Sequence, residues 1–193
     1  MPTLVFATGN ANKIKEVEQQ LNGQFELLSL KDINCEEELP ETRPTIEGNA
    51  LEKATYVHEH YNVDCFSEDT GLEVDALGGE PGVYSARYAG PAHDDEANMS
   101  LLLANLKGKE DRSARFRTVI ALILNGQVHT FEGVAEGQII HRKKGNNGFG
   151  YDPIFIPDGH DRTFAQMDTA EKSAISHRGQ AVAKLVAFLN EQD

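Results

Sequence analysis

Short apolar runs and helical periodicities alternate along the N-terminal third of this chain. Residues 4–7 are apolar and predict a buried strand, which breaks at 8–10. Ile14, Val17 and Leu21 then recur at helical spacing, and Asn22-Gly23 ends that helix. A second strand is predicted over 25–30. After an acidic, proline-containing loop at 31–46, a second helix carries its apolar stripe at Ala50, Ala54, Val57 and Tyr61.

The remaining pattern mixes strands with helices. An apolar run at 63–66 leads into two acids and a Thr-Gly pair at 67–71, and 78–91 is irregular. Asp94 or Asp95 can cap a third helix, which Gly108 can end. Asn125-Gly126 between two apolar runs predicts a hairpin of strands 114–124 and 127–131, continued at 139–140. A C-terminal helix follows Ser176, a plausible N-cap. The order predicts an α/β fold with a mixed central sheet and flanking helices.

Composition and charge narrow the possible partners. The chain has 193 residues and 39% hydrophobic residues, enough for one domain with a core. Its net charge of −13 disfavours a nucleic-acid partner, although a nucleotide-sized anion fits if a local cation or metal offsets the field. No apolar run is long enough to span a bilayer, and no basic leader is evident, so we expect no membrane partner and a cytoplasmic location. Cys35 and Cys65 are typical of reduced thiols.

The first candidate site joins the first strand to the first helix. It consists of Thr8, Gly9, Asn10, Ala11, Asn12 and Lys13. Backbone N–H groups at a helix start favour anions, and a lysine in the first turn opposes the helix dipole unless an anion is bound. A bound phosphate would supply that anion. The alternative is a plain turn in which an asparagine caps the helix.

The second candidate site is the pair Glu68-Asp69. Neighbouring acids in a strand point to opposite faces, whereas a turn can aim both at one ion. Mg²⁺ usually takes one or two carboxylates together with substrate phosphates. The alternative is a solvated turn at a strand end, because Asp-Thr-Gly is common turn chemistry. The acidic run at 36–42 could add a further ligand.

Two further segments could contact a nucleotide. The glycine-rich segment 145–153 displays two aromatic residues, Phe149 and Tyr151, and Phe149 could stack on a base. The alternative is that the loop buries these rings, and we expect one of the two to be buried. Lys172, His177 and Arg178 cluster around the start of the last helix, where an anion would be favourable. A lone histidine there would more simply be a surface or capping residue.

Together these motifs resemble the inosine/dITP/XTP pyrophosphatase family, which acts on non-canonical purine nucleoside triphosphates. The matching segments are TGNANK (8–13), SEDTGLEVDALGGEPGVYSARYAG (67–90), GFGYDPIF (148–155) and EKSAISHRGQA (171–181). They occur in the family's order and span nearly the whole chain. Two departures stand out: Glu68-Asp69-Thr70-Gly71 replaces a common Asp-Asp-Ser-Gly, and Glu47-Gly48 replaces a pair of acids.

The resemblance implies a single two-lobed domain over 1–193, with a long nucleotide-binding cleft and usually a homodimer. It implies Mg²⁺-dependent hydrolysis of ITP, dITP or XTP to the monophosphate and pyrophosphate. Asp69 would be the catalytic residue and, with Glu68 and Glu41, a metal ligand. The implied substrate contacts are Thr8, Gly9, Asn10, Ala11, Asn12, Lys13, Thr70, Phe149, Gly150, Tyr151, Asp152, Lys172, His177 and Arg178.

Two other functions are compatible with the residues themselves. The chain could be a pyrophosphatase for other modified nucleotides, which comparison of purine and pyrimidine substrates would distinguish. It could instead be a nucleotide-binding sensor that does not hydrolyse its ligand. The intact acids Glu68 and Asp69 argue against the sensor.

Overall fold

A computed structural model describes residues 3–192. Within them the chain forms seven β-strands and five α-helices. The strands are β1 (Thr3–Phe6), β2 (Glu26–Leu28), β3 (Cys65–Val74), β4 (Pro81–Gly82), β5 (Ser113–Leu124), β6 (Gln127–Ile139) and β7 (Phe155–Pro157). The helices are α1 (Ala11–Leu21), α2 (Ile46–Tyr61), α3 (Asp95–Asn105), α4 (Thr169–Ile175) and α5 (His177–Asn190).

The strands form one mixed sheet. Their order is β2-β1-β3-β5-β6-β7, with β4 paired to β3. β1 pairs in parallel with β2 and with β3, with Val5 opposite Leu28 on one side and Cys65 on the other. The β3–β4 and β6–β7 pairs are antiparallel. The predicted α/β fold with a mixed sheet is therefore confirmed.

The hairpin predicted at Asn125-Gly126 is also confirmed. Asn125 has φ 51° and Gly126 has φ 75°, so both central residues are left-handed, as the favoured two-residue hairpin turn requires. The two arms are long, since β5 has 12 residues and β6 has 13. β6 runs without a break through the segment 132–138 that the sequence pattern had left unassigned.

The chain divides into two compact units, each with its own core. Within the described residues, unit 1 comprises 3–69, 118–133 and 178–192. In its core, Phe6 of β1 and Phe66 of β3 stack with ring centroids 4.4 Å apart. Apolar residues of α1, β5 and α5 complete this core: Val17, Leu21, Ile120, Leu122, Val182 and Leu185. Helices α1 and α5 therefore share a core with β1, β3 and β5, and β3 carries residues 68 and 69.

Unit 2 comprises residues 70–117 and 134–177. Its core contains a cluster of aromatic rings, in which Phe116 meets Phe155 edge-on with centroids 4.6 Å apart. The His177 ring stacks on Phe116 at 4.6 Å. Leu102 and Leu106 bring α3 onto the same core.

Two local predictions differ from the structure. Residues 67–71 do not form a turn, because they lie inside the continuous strand β3. The strand is favoured because polar groups there have partners in the interior: the Ser67 hydroxyl donates to the Ala7 carbonyl at 3.3 Å. The second difference is an additional short helix, α4, which begins after Asp168. The Asp168 side chain accepts from the Glu171 amide at 2.8 Å.

None of the helices formed by residues 3–192 has both the length and the apolar surface that crossing a bilayer demands.

Candidate functional site

Glu68 and Asp69 are consecutive residues of β3, so the strand directs their side chains to opposite faces. Both side chains are buried, with exposed fractions of 1% for Glu68 and 8% for Asp69. A buried carboxylate is costly unless other groups compensate it. The two acids have different ion-pair partners, Lys13 and Arg178 for Glu68 and Lys53 for Asp69.

Glu68 is held by two cations. The Lys13 ammonium lies 2.7 Å from Glu68 Oε1. The Arg178 guanidinium makes two parallel hydrogen bonds, from Nε to Oε2 at 3.1 Å and from Nη2 to Oε1 at 3.2 Å. Burial alone would raise the pKa of Glu68, but the attraction of Arg178 and Lys13 outweighs it and holds that pKa well below its usual range. Glu68 is therefore ionised, and both of its oxygens have cationic partners.

Arg178 also contacts Glu16 of α1, which the sequence reasoning missed. Its Nη1 donates to Glu16 Oε2 at 2.6 Å, and only 2% of Arg178 and 8% of Glu16 are exposed. Burial disfavours the charge, but Glu68 and Glu16 more than offset this and raise the pKa of Arg178. In this structure Arg178, predicted to contact substrate, joins α5 to β3 and α1.

Asp69 has one buried oxygen without a partner. Within residues 3–192, Oδ2 of Asp69 lacks any hydrogen-bond partner, while Oδ1 lies 4.0 Å from the Lys53 ammonium. Burial raises the pKa of Asp69 to about 6, although Lys53 and Lys13 act in the opposite direction. A carboxyl group with a pKa near neutrality and an uncommitted oxygen is suited to proton transfer or to cation binding.

Lys53 of α2 contacts all three of the predicted metal ligands, Glu41, Glu68 and Asp69. The sequence patterns did not indicate this lysine as a site residue. Its ammonium donates to Glu41 Oε1 at 2.7 Å and to the Glu68 carbonyl oxygen at 2.8 Å, besides lying near Asp69. Only 6% of Lys53 is exposed. A signal was present in the sequence, since this lysine falls beside Ala50 and Ala54 on the apolar stripe of α2, where a cation needs a buried anion.

The residues around Lys53 fit a hard cation with few protein ligands. Among the residues described, no three His, Cys, Asp or Glu side chains converge as a ready metal cage. Glu41 and Asp69, however, are both carboxylates near one ammonium, and Asp69 has an orphaned oxygen. Mg²⁺ is commonly held by one or two carboxylates plus substrate phosphates, so this pair suffices. Glu68 is less suited, because its oxygens already face Lys13 and Arg178.

The segment 8–13 forms the predicted loop at the start of α1. Asn10 caps the helix, and its Oδ1 accepts from the amides of Asn12 at 3.0 Å and Lys13 at 3.3 Å. Thr8 Oγ1 accepts from the Asn10 amide at 3.1 Å. A side chain added at Gly9 would meet nothing within 4 Å, so the backbone there is open to approach. The asparagine cap is the alternative that the sequence predicted for this loop. The anion that Lys13 contacts in this structure is Glu68.

The glycine-rich loop of unit 2 separates its two aromatic residues. Tyr151 is only 5% exposed, and its hydroxyl donates to the Ser85 carbonyl at 2.7 Å. Burial raises the pKa of Tyr151. Phe149 remains partly exposed, and its amide donates to Asp152 Oδ2 at 3.1 Å. The expectation that one ring would be buried is confirmed, and the buried ring is Tyr151.

Lys172 lies beneath this loop rather than on an open surface. Its ammonium contacts Asp152 Oδ2 at 2.7 Å and lies 5.0 Å from the centre of the Phe149 ring, in reach of a cation–π interaction. Only 3% of Lys172 is exposed. The predicted cationic cluster is thus divided: Lys172 belongs to the loop, His177 to the aromatic core, and Arg178 to Glu68. Thr70, at the start of unit 2, is half-buried.

Residues 4–188 match the sequence profile of the Ham1 family. The chain belongs to the Ham1 family. It is 55% identical over 188 residues to a protein of Christiangramia forsetii named dITP/XTP pyrophosphatase, covering 97% of this chain and 99% of that protein. A Bacillus subtilis protein of the same name is 45% identical over 193 residues, with 98% of each chain covered.

Solved structures of Ham1 proteins have the same fold. The Staphylococcus aureus Ham1 protein superposes with a TM-score of 0.90 at 38% identity, covering 99% of this chain and 100% of that chain. A Ham1 protein from Coxiella burnetii gives 0.90 at 37% identity, with the same coverage. The resemblance drawn from the motifs is therefore confirmed, as is the expectation that this Ham1 chain is a hydrolytic enzyme.

Proposed function

We propose that this Ham1-family chain hydrolyses deaminated purine nucleoside triphosphates, namely dITP, XTP and ITP, to the monophosphate and pyrophosphate. The activity depends on Mg²⁺. The observation that carries the proposal is the buried Asp69 carboxylate, whose Oδ2 has no hydrogen-bond partner among the described residues and whose neighbours are Glu41 and Lys53. The names of relatives at 45% and 55% identity support the substrate class.

Glu41 and Asp69 are the proposed metal ligands. When bound, Mg²⁺ would neutralise phosphate charge and lower the pKa of the attacking water. Lys53 contacts both carboxylates and so keeps them close together, while its own charge balances theirs. Asp69 is the proposed catalytic residue, with Oδ2 as the atom that faces the reacting groups. In the protein without metal, burial raises the pKa of Asp69 to about 6.

The contacts of Glu68 favour a positioning role, whereas its role as a third metal ligand stays a prediction. Its oxygens hold the Lys13 ammonium and the Arg178 guanidinium. Glu68 would therefore orient Lys13 at the start of α1, where phosphate oxygens can compete for the ammonium. The open backbone at Gly9 and the helix N-terminus supply further contacts for the phosphates of the substrate.

The proposed contacts with the base come from the glycine-rich loop, from α4 and from the first residue of α5. The partly exposed Phe149 ring is the proposed stacking surface, and Gly150, Asp152, Lys172 and His177 are predicted contacts. A 6-keto purine presents an acceptor at O6 where adenine presents a donor, so donor groups at this end of the substrate favour the deaminated base. A site built around such a hydrogen bond can reject a mispaired analogue by as much as about 10⁴-fold.

A product assay tests the proposal. The protein is incubated with dITP and Mg²⁺, and the products are separated by anion-exchange chromatography. We expect dIMP and pyrophosphate. Formation of dIDP and phosphate would overturn the proposed cleavage between the α- and β-phosphates, and absence of turnover with intact nucleotide binding would indicate a sensor.

Substrate comparison addresses the other enzymatic alternative. Rates with dITP, XTP, ITP, GTP, dTTP and UTP are measured under one set of conditions. We expect the three deaminated purines to be turned over fastest, and a preference for a pyrimidine would overturn the proposed substrate class. The homodimer and the cytoplasmic location stay predictions from the resemblance, and light scattering after gel filtration tests the first.

A further inference from the structure

Two acidic side chains in the first turn of α3 bind residues in and next to the glycine-rich loop of unit 2. The Gly150 amide donates to Asp95 Oδ2 at 2.9 Å. The next acid of the helix, Glu96, forms an ion pair with Lys143, at the other end of the loop. Hydrogen bonds from an N–H group to a carboxylate are shorter and stronger than neutral ones. The loop tip, residues 148–150, is therefore attached to α3 by a charge-assisted hydrogen bond.

Other attachments fix different parts of the loop. The Thr163 hydroxyl donates to the Lys144 carbonyl at 2.6 Å, and the Asn147 amide donates to the Ala165 carbonyl at 2.9 Å. At the far end, the Tyr151 hydroxyl is bound to the Ser85 carbonyl at 2.7 Å. These contacts hold residues 144–147 and 151. Residues 148–150, which contain the stacking ring, lie between them.

The stretch around Phe149 needs an external constraint because glycines flank the ring on both sides. Gly148 has φ 70° and Gly150 has φ 61°, and glycine moves readily between such left-handed and right-handed conformations. Asp152 binds the Phe149 amide at 3.1 Å and is itself held by Lys172 of α4 at 2.7 Å, but this contact fixes the Phe149 amide and not the amide of Gly150. Asp95 instead fixes Gly150 to α3, which packs on the core of unit 2 through Met99 and Leu102.

We propose that Asp95 is a positioning residue for Phe149. By holding the Gly150 amide, it keeps the loop tip in the conformation that presents the ring to a flat heterocyclic base, so that less ordering is required on binding. This inference rests on the proposed function for the identity of the substrate. Asp95 is exposed and touches no reacting group, so it acts through the loop alone.

The neighbouring acid provides a matched control. Asp94 is the N-cap of α3, and its side chain accepts from the Ala97 amide at 3.2 Å. Asp94→Ala removes the same charge from the same helix end, but it leaves the Gly150 hydrogen bond in place. Asp95→Asn keeps an acceptor oxygen at the right position and is the conservative variant.

The experiment compares these variants by steady-state kinetics with dITP. We expect Asp95→Ala to raise KM by about fivefold to tenfold, the net contribution of one typical hydrogen bond in a protein, with kcat within about twofold of wild type. Asp95→Asn should recover most of the loss. Asp94→Ala should lower the thermal midpoint without the rise in KM. An unchanged KM in Asp95→Ala, or an equal rise in Asp94→Ala, would overturn the proposal.

A double-mutant cycle tests whether the effect passes through the ring. In a Phe149→Ala background, Asp95→Ala should add little to KM, whereas independent effects would multiply. Amide exchange measured by NMR gives a readout that does not depend on activity, and Gly150 should exchange faster in Asp95→Ala alone. If wild type does not hydrolyse dITP, the proposed function fails, and unchanged Gly150 exchange in Asp95→Ala would separately overturn the positioning role.

Discussion

Arg178 and Glu68 form a bidentate ion pair in which both side chains are buried, with 3% and 1% of their surfaces exposed. The two hydrogen bonds, at 3.1 and 3.2 Å, join α5 to β3, and Glu16 takes the remaining terminal nitrogen at 2.6 Å. Removing one partner of a buried pair leaves an uncompensated charge, which typically costs about 3–5 kcal/mol. The pair therefore stabilises unit 1, and through Glu68 it also holds the Lys13 ammonium in place.

The first prediction is that Arg178→Met lowers the free energy of unfolding at pH 7 by about 3–5 kcal/mol. Arg178 and Lys13 depress the pKa of Glu68, so their stabilisation is fully present above the unfolded pKa of roughly 4 and is lost as pH falls below it. The difference between variant and wild type should therefore shrink at pH 3.5. Urea denaturation at both pH values measures it.

Arg162→Met is the matched control for that variant. Arg162 pairs with Glu171 at 2.9 Å, but both side chains are nearly half exposed, and surface pairs contribute about 1 kcal/mol or less. An equal loss of stability in both variants would show that burial of the Arg178 pair does not matter.

The second prediction concerns Asp69→Asn, which should abolish turnover and also stabilise the metal-free protein. Folding raises the pKa of Asp69 from 3.8 to about 6, so the ionised carboxylate destabilises the fold above pH 6. This difference in pKa between the unfolded and folded states corresponds to roughly 3 kcal/mol as an upper bound. The gain from asparagine should be largest at pH 8 and should fall as pH drops through 6, where wild type takes up its proton.

Thermal unfolding in the presence of a chelator, at pH 8 and pH 5, checks this prediction. Asp75→Asn changes an exposed acid just after the same strand and should leave both midpoints close to wild type. A lower midpoint for Asp69→Asn than for wild type at pH 8 would show that the buried Asp69 carboxylate does not destabilise the fold.

The third prediction is that Lys53→Met reduces kcat/KM for dITP by about 10²-fold or more, the range of a positioned catalytic group. The Lys53 ammonium lowers the pKa of Asp69, so its removal should move the acid limb of the pH profile to higher pH. Lys15→Met alters an exposed lysine of α1 and serves as the control. A reduced rate with an unmoved acid limb would argue that Lys53 acts only in folding.

The sequence allowed prediction where one local signal dominates. Asn125-Gly126 has one favoured hairpin geometry, and that geometry is observed. Residues 67–71 show the limit, because turn chemistry was overridden by long-range partners that satisfy Ser67 and Glu68 inside β3. The contact of Arg178 with Glu16 joins residues 162 positions apart, and no periodicity encodes such a pair. Motif reasoning therefore found the acids, but it could not determine which cation faces each of them.

The fourth prediction compares two glycines of the aromatic loop. A Cβ added at Gly148 would clash with Asp152 Oδ2, whereas one added at Gly150 meets nothing within 4 Å. Both residues have positive φ, so alanine is strained at either position. Gly148→Ala should also displace the Asp152 carboxylate from the Phe149 amide and from Lys172. We expect KM for dITP to rise several times more in Gly148→Ala than in Gly150→Ala. Equal rises in KM would show that the position of the Asp152 carboxylate does not affect substrate binding.

The last prediction concerns Arg112, a buried cation whose guanidinium binds backbone carbonyls. Its Nε donates to Ile139 at 2.9 Å, and its terminal nitrogens donate to Leu106 and Ile140 at 3.1 Å each. Burial lowers the pKa of Arg112. Arg112→Met leaves three acceptors at the end of α3 and of β6 without this donor, and each such loss costs about 1 kcal/mol or more. We therefore expect the free energy of unfolding to fall by about 2–4 kcal/mol.

Urea denaturation of Arg112→Met and of the control Arg142→Met, which alters an exposed arginine, measures this cost. Kinetics with dITP should be close to wild type in the folded fraction of both variants, because the Arg112 guanidinium donates to the backbone carbonyls of Ile139, Leu106 and Ile140. Arg112→Lys should recover little, since an ammonium cannot reproduce the planar fork that reaches three carbonyls at once. Full recovery by lysine would show that the charge of Arg112, rather than the geometry of its donors, stabilises this end of the sheet.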